Sequence, residues 1–166
     1  MSGTAFVTRM PAGIPGDVQR REHAVIEPQI FDTDYPCLSF GIPVKMTSGK
    51  IRPIASGDTD QPYGFLVRPY PSQMASSEAV GTATPDTTTK IANVLVRGYI
   101  IVKNFEGTPA KNGAVYMRTQ AGSPAGNLGQ IEADSAGSPT TNVAITNAHF
   151  MGPQDSDGNV EISFKM

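Results

Sequence analysis

The chain of 166 residues contains no tryptophan and a single cysteine, Cys37. One cysteine cannot form an intramolecular disulfide, so the chain is typical of a protein made in a reducing compartment. We expect Cys37 to be a small buried hydrophobic residue, because no second cysteine or neighbouring base would activate it. A chain of this length can bury roughly 70% of the surface that its unfolded form exposes, so it needs no disulfide or metal to stabilise its core.

Charge and long apolar runs are also scarce. Charged residues make up 17% of the chain and the formal net charge is −2, whereas phosphate binding needs a surplus of lysine and arginine on one face. We therefore predict no binding to nucleic acid. No run approaches the ~18 apolar residues that span a bilayer, and Phe6-Val7 is interrupted at once by Thr8 and Arg9, so we predict no membrane partner and no secretion signal.

The sequence lacks a recognisable catalytic or ligand-binding set. Its two histidines, His23 and His149, are too far apart for an HxH or HxxxH pair, and no phosphate-binding glycine loop is present. The stretch from Asp155 to Glu161 is rich in oxygen ligands but lacks the spacing of a calcium loop, so a tight turn is favoured there and, by the same argument, at Asp58–Asp60. We predict no enzymatic activity, no cofactor and no bound metal.

What the chain has instead is 17 glycines and 14 prolines that separate short apolar runs. Within the block from Phe40 to Pro71, alternating apolar residues flank Ser48-Gly49, which predicts a β-hairpin. The apolar run Tyr63–Val67 is followed by two closely spaced prolines. Because proline lacks the N–H that a strand donates to its neighbour, this block is predicted to end at the edge of the sheet.

The remaining apolar runs predict further short strands and very little helix. The run Ile91–Val102 is apolar on both faces, so we expect a central strand with a bulge or close backbone approach at Gly98, paired as a hairpin with Ala114–Arg118. We predict an all-β fold, a β-sandwich or jelly-roll-like barrel of short antiparallel strands with long loops. The other predicted strands are 25–31, 37–44, 128–132, 143–145, 148–151 and 160–164.

The first 23 residues are broken by glycine and proline too often for a regular element. We expect an extended N-terminal arm, residues 1–23, followed by a single β domain, residues 24–166. The arm carries more apolar side chains than a solvated tail, which indicates that a partner covers it. The candidate contact residues of the arm are Phe6, Val7, Arg9, Met10, Ile14, Val18, Arg20 and Arg21.

Three segments of the sequence resemble those of a known protein family. They are Gly41-Ile42-Pro43-Val44-Lys45, the stretch from Tyr63 to Pro71, and the stretch from Phe6 to Val18. In their order and spacing, over residues 5 to about 118, they resemble a family of tailed-bacteriophage capsid cement (decoration) proteins. The resemblance implies a non-enzymatic protein that is made in the host cytoplasm, binds the assembled major capsid protein on the outer surface of the virion and stabilises the shell.

The resemblance assigns the arm to contact with the capsid. A second candidate surface, for contact with the capsid or with another copy of the chain, is the rim formed by Arg68, Pro69, Tyr70 and Pro71, because tyrosine and arginine are enriched at interface anchors. An edge next to prolines and a symmetric shell together favour a homo-oligomer, a dimer or trimer.

A receptor- or carbohydrate-binding β-sandwich module of a virion or cell surface is the alternative. Such modules use exposed aromatic platforms. The absence of tryptophan and an aromatic content of 7% count against this reading.

Overall fold

The computed structural model describes residues 12–69, 84–87, 91–120, 128–135 and 142–166. Within these ranges the chain forms nine β-strands and one turn of 3-10 helix, Arg21–His23, and none of the described helices could cross a membrane. The all-β, sandwich-like class predicted from the sequence is confirmed. The strands are β1 (Val25–Ile30), β2 (Pro43–Thr47), β3 (Lys50–Pro53), β4 (Gly64–Val67), β5 (Ile91–Glu106), β6 (Ala114–Arg118), β7 (Ile131–Glu132), β8 (Asn142–Phe150) and β9 (Asn159–Phe164).

Strands β1 to β4 and the first part of β5 pair into a closed circuit, which we call the N-terminal ring. Strand β5 pairs antiparallel with β1 and β4, β4 pairs with β2, and β2 pairs with β3. A parallel bridge between Phe31 and Ile51 closes the circuit, and the Asp32 N–H donates to the Ile51 carbonyl at 3.0 Å. The ring comprises residues 25–67 and 91–97.

The second part of β5, from Gly98 onward, belongs to another closed circuit, the C-terminal ring. Here β5 pairs antiparallel with β9 and parallel with β7. Strand β7 then pairs with β6, β6 with β8, and β8 with β9. The two rings therefore share the 16-residue strand β5, which confirms the prediction that this run is the central strand.

Gly98 lies where β5 passes from one ring to the other. Its φ is +134°, and a Cβ at this position would lie 3.0 Å from the Cα of Ala24 and 3.1 Å from the His23 carbonyl oxygen. The predicted close backbone approach is confirmed. The predicted hairpin of β5 with β6 is wrong, because the two-residue strand β7 lies between them and pairs with both.

The predicted hairpin around Ser48-Gly49 is confirmed as β2 and β3. Thr47 pairs with Lys50, and both turn residues have positive φ, 51° and 78°, as a two-residue type I′ turn requires. Strand β4 ends at Val67, before the prolines, but the predicted edge position is wrong, because β4 lies between β2 and β5 within the sheet.

The predicted strand over residues 37–44 is mostly wrong, because only Pro43 and Val44 belong to β2. Residues 37–42 run irregularly, and Gly41 has a φ of +75°, which a regular strand does not allow. The Gly41 N–H instead donates to the Leu66 carbonyl at 2.8 Å, and the side chains of Cys37 and Phe40 are buried in the core.

Two apolar clusters fill the part of the molecule that the structure describes. The smaller lies inside the N-terminal ring and includes Val44, Ile51 and Leu66. The larger is built on the C-terminal ring but also takes in Phe65 and Leu95 from the N-terminal ring. The Phe65 ring meets the Phe164 ring edge-on at 5.1 Å. The rings are thus joined by packing as well as by the shared strand.

Candidate interaction surface

The carboxylates and histidines singled out in the sequence are placed in structural roles or on the surface. Asp155 Oδ1 accepts hydrogen bonds from the Asp157 and Asn159 N–H groups at 3.0 and 2.8 Å, which confirms the predicted turn. His23 and His149 are both exposed. Among the described residues no cluster of three or more His, Cys, Asp or Glu side chains could hold a metal ion.

Cys37 lies in the core of the N-terminal ring, as predicted. Its side chain is buried, and burial raises the pKa of the thiol to about 12. The reactive thiolate is therefore scarce at neutral pH. Cys37 acts as a packing residue.

Residues 12–17 of the predicted arm lie across the junction of the two rings. The Gly16 N–H donates to the Ile101 carbonyl at 2.8 Å, and the Ile101 N–H donates to the Asp17 carbonyl at 2.9 Å. The Arg68 N–H, just after β4, donates to the Gly16 carbonyl at 2.9 Å. This part of the arm therefore satisfies backbone groups of β5 and of the segment that follows β4.

Gly16 makes this approach possible. Its φ is +92°, and a Cβ would lie 2.7 Å from the Phe40 Cβ and 3.0 Å from the Arg68 nitrogen. Any other residue would combine an unfavourable φ with a steric clash. Sequence reasoning did not find this close approach and counted Gly16 among the glycines and prolines that interrupt regular structure in the arm, because the residues that crowd it are distant in the chain.

The rest of the described arm is fixed at two further points. At one end, the Ala12 N–H donates to Asp155 Oδ2 at 3.1 Å. At the other, the Arg20 guanidinium binds the Glu161 carboxylate through two hydrogen bonds of 3.1 and 2.8 Å and lies 4.2 Å from the centre of the Tyr99 ring. Bidentate pairs of this kind fix orientation as well as position.

The eight candidate arm residues thus divide into groups. Val18 packs against the larger core cluster, and Arg20 pairs with Glu161, so both use their side chains within the chain. Ile14 is half-buried and Arg21 is exposed. The other four, Phe6, Val7, Arg9 and Met10, lie outside the described residues.

Arg68 was predicted to stand at an exposed rim, but its side chain is buried. Its Nε donates to the Pro15 carbonyl at 3.1 Å, and its guanidinium lies 4.7 Å from the centre of the Phe40 ring. Burial lowers the pKa of Arg68, while the charge of Asp17 opposes that shift. Burial likewise raises the pKa of Asp17, and Arg68 is the main opposing influence.

Arg68 therefore ties the end of β4 to the arm. Of the other rim residues, Pro69 is exposed. Tyr70 and Pro71 lie outside the described residues.

A cleft of about 160 Å³ opens beside the arm where the two rings meet. Two exposed apolar side chains line it, Leu38 at 75% exposure and Phe105 at 47%. The Lys103 ammonium lies 5.7 Å from the centre of the Phe105 ring. The other described residues that line the cleft are Pro15, Ser39, Phe40, Gly41, Ile42, Arg68, Thr84, Gly129, Gln130 and Ile131.

Sequence reasoning did not find this cleft. Leu38 comes from the loop after β1 and Phe105 from the far end of β5, and only the closure of both rings brings them to one place. The available signal was the position of each: an apolar side chain near a loop or strand end, where no periodic pattern buries it.

A second exposed apolar surface lies on the outside of the N-terminal ring. Ile30 of β1 pairs directly with Ile91 of β5, and their side chains are 61% and 67% exposed. Ile26, which also belongs to β1, is exposed as well. This surface is separate from the residues that line the cleft.

Comparison with known proteins identifies the family. The family model of the XM1 gp53 minor capsid protein matches residues 3–164. The chain belongs to this family. It is therefore a structural protein associated with a bacteriophage capsid and located in the virion, which confirms the phage capsid resemblance seen in the sequence.

A solved structure shares the fold of this family member. A chain of "The capsid of Myoviridae Phage XM1" superposes with a TM-score of 0.71, over 99% of this chain and 98% of that chain. The two sequences are 18% identical, so this likeness shows the fold. No curated protein matches the chain significantly.

Proposed function

We propose that this capsid-associated protein is a cement (decoration) protein, which binds the assembled major capsid protein on the outer surface of the shell and stabilises it. Membership of the minor capsid protein family supports this role, and so does the fold shared with a chain of a phage capsid. We further propose that the protein is made in the host cytoplasm, has no catalytic activity and strengthens the shell mechanically.

The observation that carries this proposal is the anchoring of the arm at the junction of the rings. Ala12 is bonded to Asp155, and Gly16 and Asp17 are bonded to Ile101. The chain is therefore fixed to the body of the protein from Ala12 onward. A rigid starting point lowers the entropic cost of placing a contact segment on a partner.

The composition of residues 2–11 suits contact with a capsid subunit. Phe6, Val7 and Met10 offer apolar side chains, and Arg9 offers the planar guanidinium that recognises carboxylates. We propose these four as the main arm contacts, with Ile14 and Arg21 extending the contact along the described part of the arm.

Two further features complete the proposal. Pro69, Tyr70 and Pro71 follow the buried Arg68 at the junction, and we propose them as a rim of the capsid or oligomer interface. We also propose a dimer or trimer, because several arms held by one assembly turn weak individual contacts into stable attachment to a repeating lattice.

Co-sedimentation with shells tests the proposal. Purified protein is incubated with assembled shells of its phage's own major capsid protein, and in parallel with the unassembled subunit. We expect saturable binding to shells and none to subunits. Removing residues 2–11 is expected to abolish binding and to leave the fold intact, because the anchored residues remain.

A full-length variant in which Phe6, Val7 and Met10 are replaced by serine is the matched control for chain length. It should bind as poorly as the deletion. Absence of wild-type binding to shells would refute the cement role, and a glycan array would then test the receptor- or carbohydrate-binding alternative. Unchanged binding of both variants would refute the role of the arm alone.

A further inference from the structure

We propose that the cleft between the rings receives an apolar side chain, next to a carboxylate, from a segment of the major capsid protein. This inference rests on the proposed cement function and adds to the arm a second contact of defined chemistry. It is carried by the described residues that line the cleft, above all Leu38, Lys103 and Phe105.

The size of the cleft fits one side chain. A volume of about 160 Å³ is close to that of a ~150 Å³ apolar cavity that holds benzene. It is well below the ~300 Å³ at which small-molecule sites begin. One apolar side chain inserted in a pocket and surrounded by less critical contacts is the usual arrangement of an interface anchor.

The walls of the cleft are apolar and accessible. Leu38 is 75% exposed, the largest exposure among the large hydrophobic side chains of the described ranges, and Phe105 lines the same cleft. Phe40 and Ile131 contribute buried apolar surface to it. Exposed apolar side chains grouped around a concavity are typical of an interaction site.

The charges that line the cleft favour an acidic partner segment. The described lining residues include two cations, Arg68 and Lys103, and no acidic residue, although the chain as a whole carries a net charge of −2. Arg68 is engaged by Pro15 and faces Asp17, so Lys103 is the exposed cation. An acidic side chain beside the inserted apolar one would be attracted to Lys103.

The charge of Lys103 also disfavours the arm of a neighbouring copy as the occupant. Residues 1–11 contain Arg9 and no acidic residue, so they would bring a positive charge next to Lys103. Like charges brought together at an interface suppress binding. A capsid segment with a carboxylate is therefore the better complement.

Binding of cleft variants to assembled shells tests the inference. We expect Leu38→Glu and Phe105→Glu each to weaken binding by roughly tenfold or more, because each places a carboxylate on an apolar contact and opposes the acidic partner. Lys103→Gln should weaken binding less and should reduce its dependence on salt concentration. All three side chains are exposed, so the variants are expected to keep the wild-type urea midpoint.

Ile30→Glu and Ile91→Glu are the matched controls, because both replace exposed apolar residues outside the cleft. They should bind shells like the wild type. If wild-type protein binds shells and the cleft variants bind equally well, or if only the isoleucine variants fail, the cleft inference is overturned while the cement role stands. If wild-type protein does not bind shells at all, the cement role itself fails, and the inference with it.

Photo-cross-linking identifies the occupant. Phe105→p-benzoylphenylalanine protein is bound to purified shells, irradiated and digested, and the captured peptide is sequenced by mass spectrometry. The inference predicts a peptide of the major capsid protein with Asp or Glu adjacent to an apolar residue. Capture of another copy of this chain, or of a capsid peptide without an acidic residue, would overturn it.

Discussion

The two rings share strand β5 but differ in how much apolar surface they keep inside. Among the described residues, the cluster built on the C-terminal ring contains fifteen buried side chains and that inside the N-terminal ring eight. Six of the eight exposed large hydrophobic residues in the same ranges lie in the N-terminal ring. The C-terminal ring is thus the better-packed of the two, and the N-terminal ring leaves more apolar surface exposed.

The rings also differ in how they close. The weakest connection of the C-terminal ring is β7, which forms two residue pairs with β5 and two with β6, whereas the weakest connection of the N-terminal ring is the single bridge between Phe31 and Ile51. Segments with fewer buried contacts and fewer ladder hydrogen bonds open at lower free energy. We therefore expect the N-terminal ring to open first.

Truncation of buried aromatic side chains is expected to lower the free energy of unfolding the most. The size of the loss should differ between the two rings. Phe150→Ala should lower the free energy of unfolding by about 3–5 kcal/mol, because Phe150 is fully buried in the larger cluster. Phe31→Ala should cost less, since Phe31 belongs to the smaller cluster and lies at the single bridge of the N-terminal ring. Urea denaturation measures both.

The exposed Phe105→Ala variant is the control for the loss of an aromatic ring and should change stability by less than about 0.5 kcal/mol. Equal losses for Phe150→Ala and Phe31→Ala would contradict the difference in packing between the rings.

The arm joins the two rings, and Gly16→Ala tests that junction. We expect a loss of about 2–4 kcal/mol in urea denaturation, because the new Cβ meets Phe40 and Arg68 in addition to the strain of a positive φ. Gly57→Ala is the matched control: Gly57 has a φ of +79° and its new Cβ would meet no atom within 4 Å, so it should cost only about 1–2 kcal/mol. The same loss in both variants would show that the close approach at Gly16 contributes nothing.

Lowering the pH is expected to reduce the free energy of unfolding by a smaller amount. The loss should come mainly from two ion pairs of the N-terminal ring. Burial opposes the ionisation of Asp32 and Asp58, but hydrogen bonds and charges from Arg52 and Lys45, respectively, outweigh it, so both pKa values are lowered. Their stabilising contribution is present above the unfolded-state pKa of ~3.9 and is lost as the pH falls through the lower folded-state values.

The contribution of Asp17, in the arm, to stability changes with pH in the opposite direction. Because burial raises its pKa, its contribution is present below the unfolded-state pKa and is lost as the pH rises through the folded-state value.

A variant carrying both Asp32→Asn and Asp58→Asn should be less stable than the wild type at pH 6. It should also lose less stability between pH 5 and pH 3. Urea midpoints measured across that range test this, with the exposed Asp60→Asn as the control. An unchanged pH dependence in the double variant would mean that these two ion pairs do not link acid to the N-terminal ring.

Local signals were enough to predict much of the fold. The turn at Ser48-Gly49, the central strand with Gly98 and the last strand all follow from residue type and spacing over a few positions. The family resemblance likewise rested on short segments of the sequence. Each of these features is fixed by residues that are close together in the chain.

The features that sequence reasoning missed depend on distant partners. Strand β7 is two residues long and exists because β5 and β6 flank it and its Glu132 binds Arg118 Nε at 2.5 Å. The burial of Arg68 depends on Pro15 and Phe40, more than 25 positions away in the chain. The cleft needs both rings to be closed before its lining residues meet.

The central claim is that the junction of the rings, with its arm and cleft, faces the capsid. Electron cryomicroscopy of shells saturated with this protein tests it most directly. The account predicts density on the outer surface of the shell, with the cleft around Leu38 and Phe105 and the arm before Ala12 directed at capsid subunits. Density inside the shell, or a bound orientation that leaves the junction open to solvent, would contradict it.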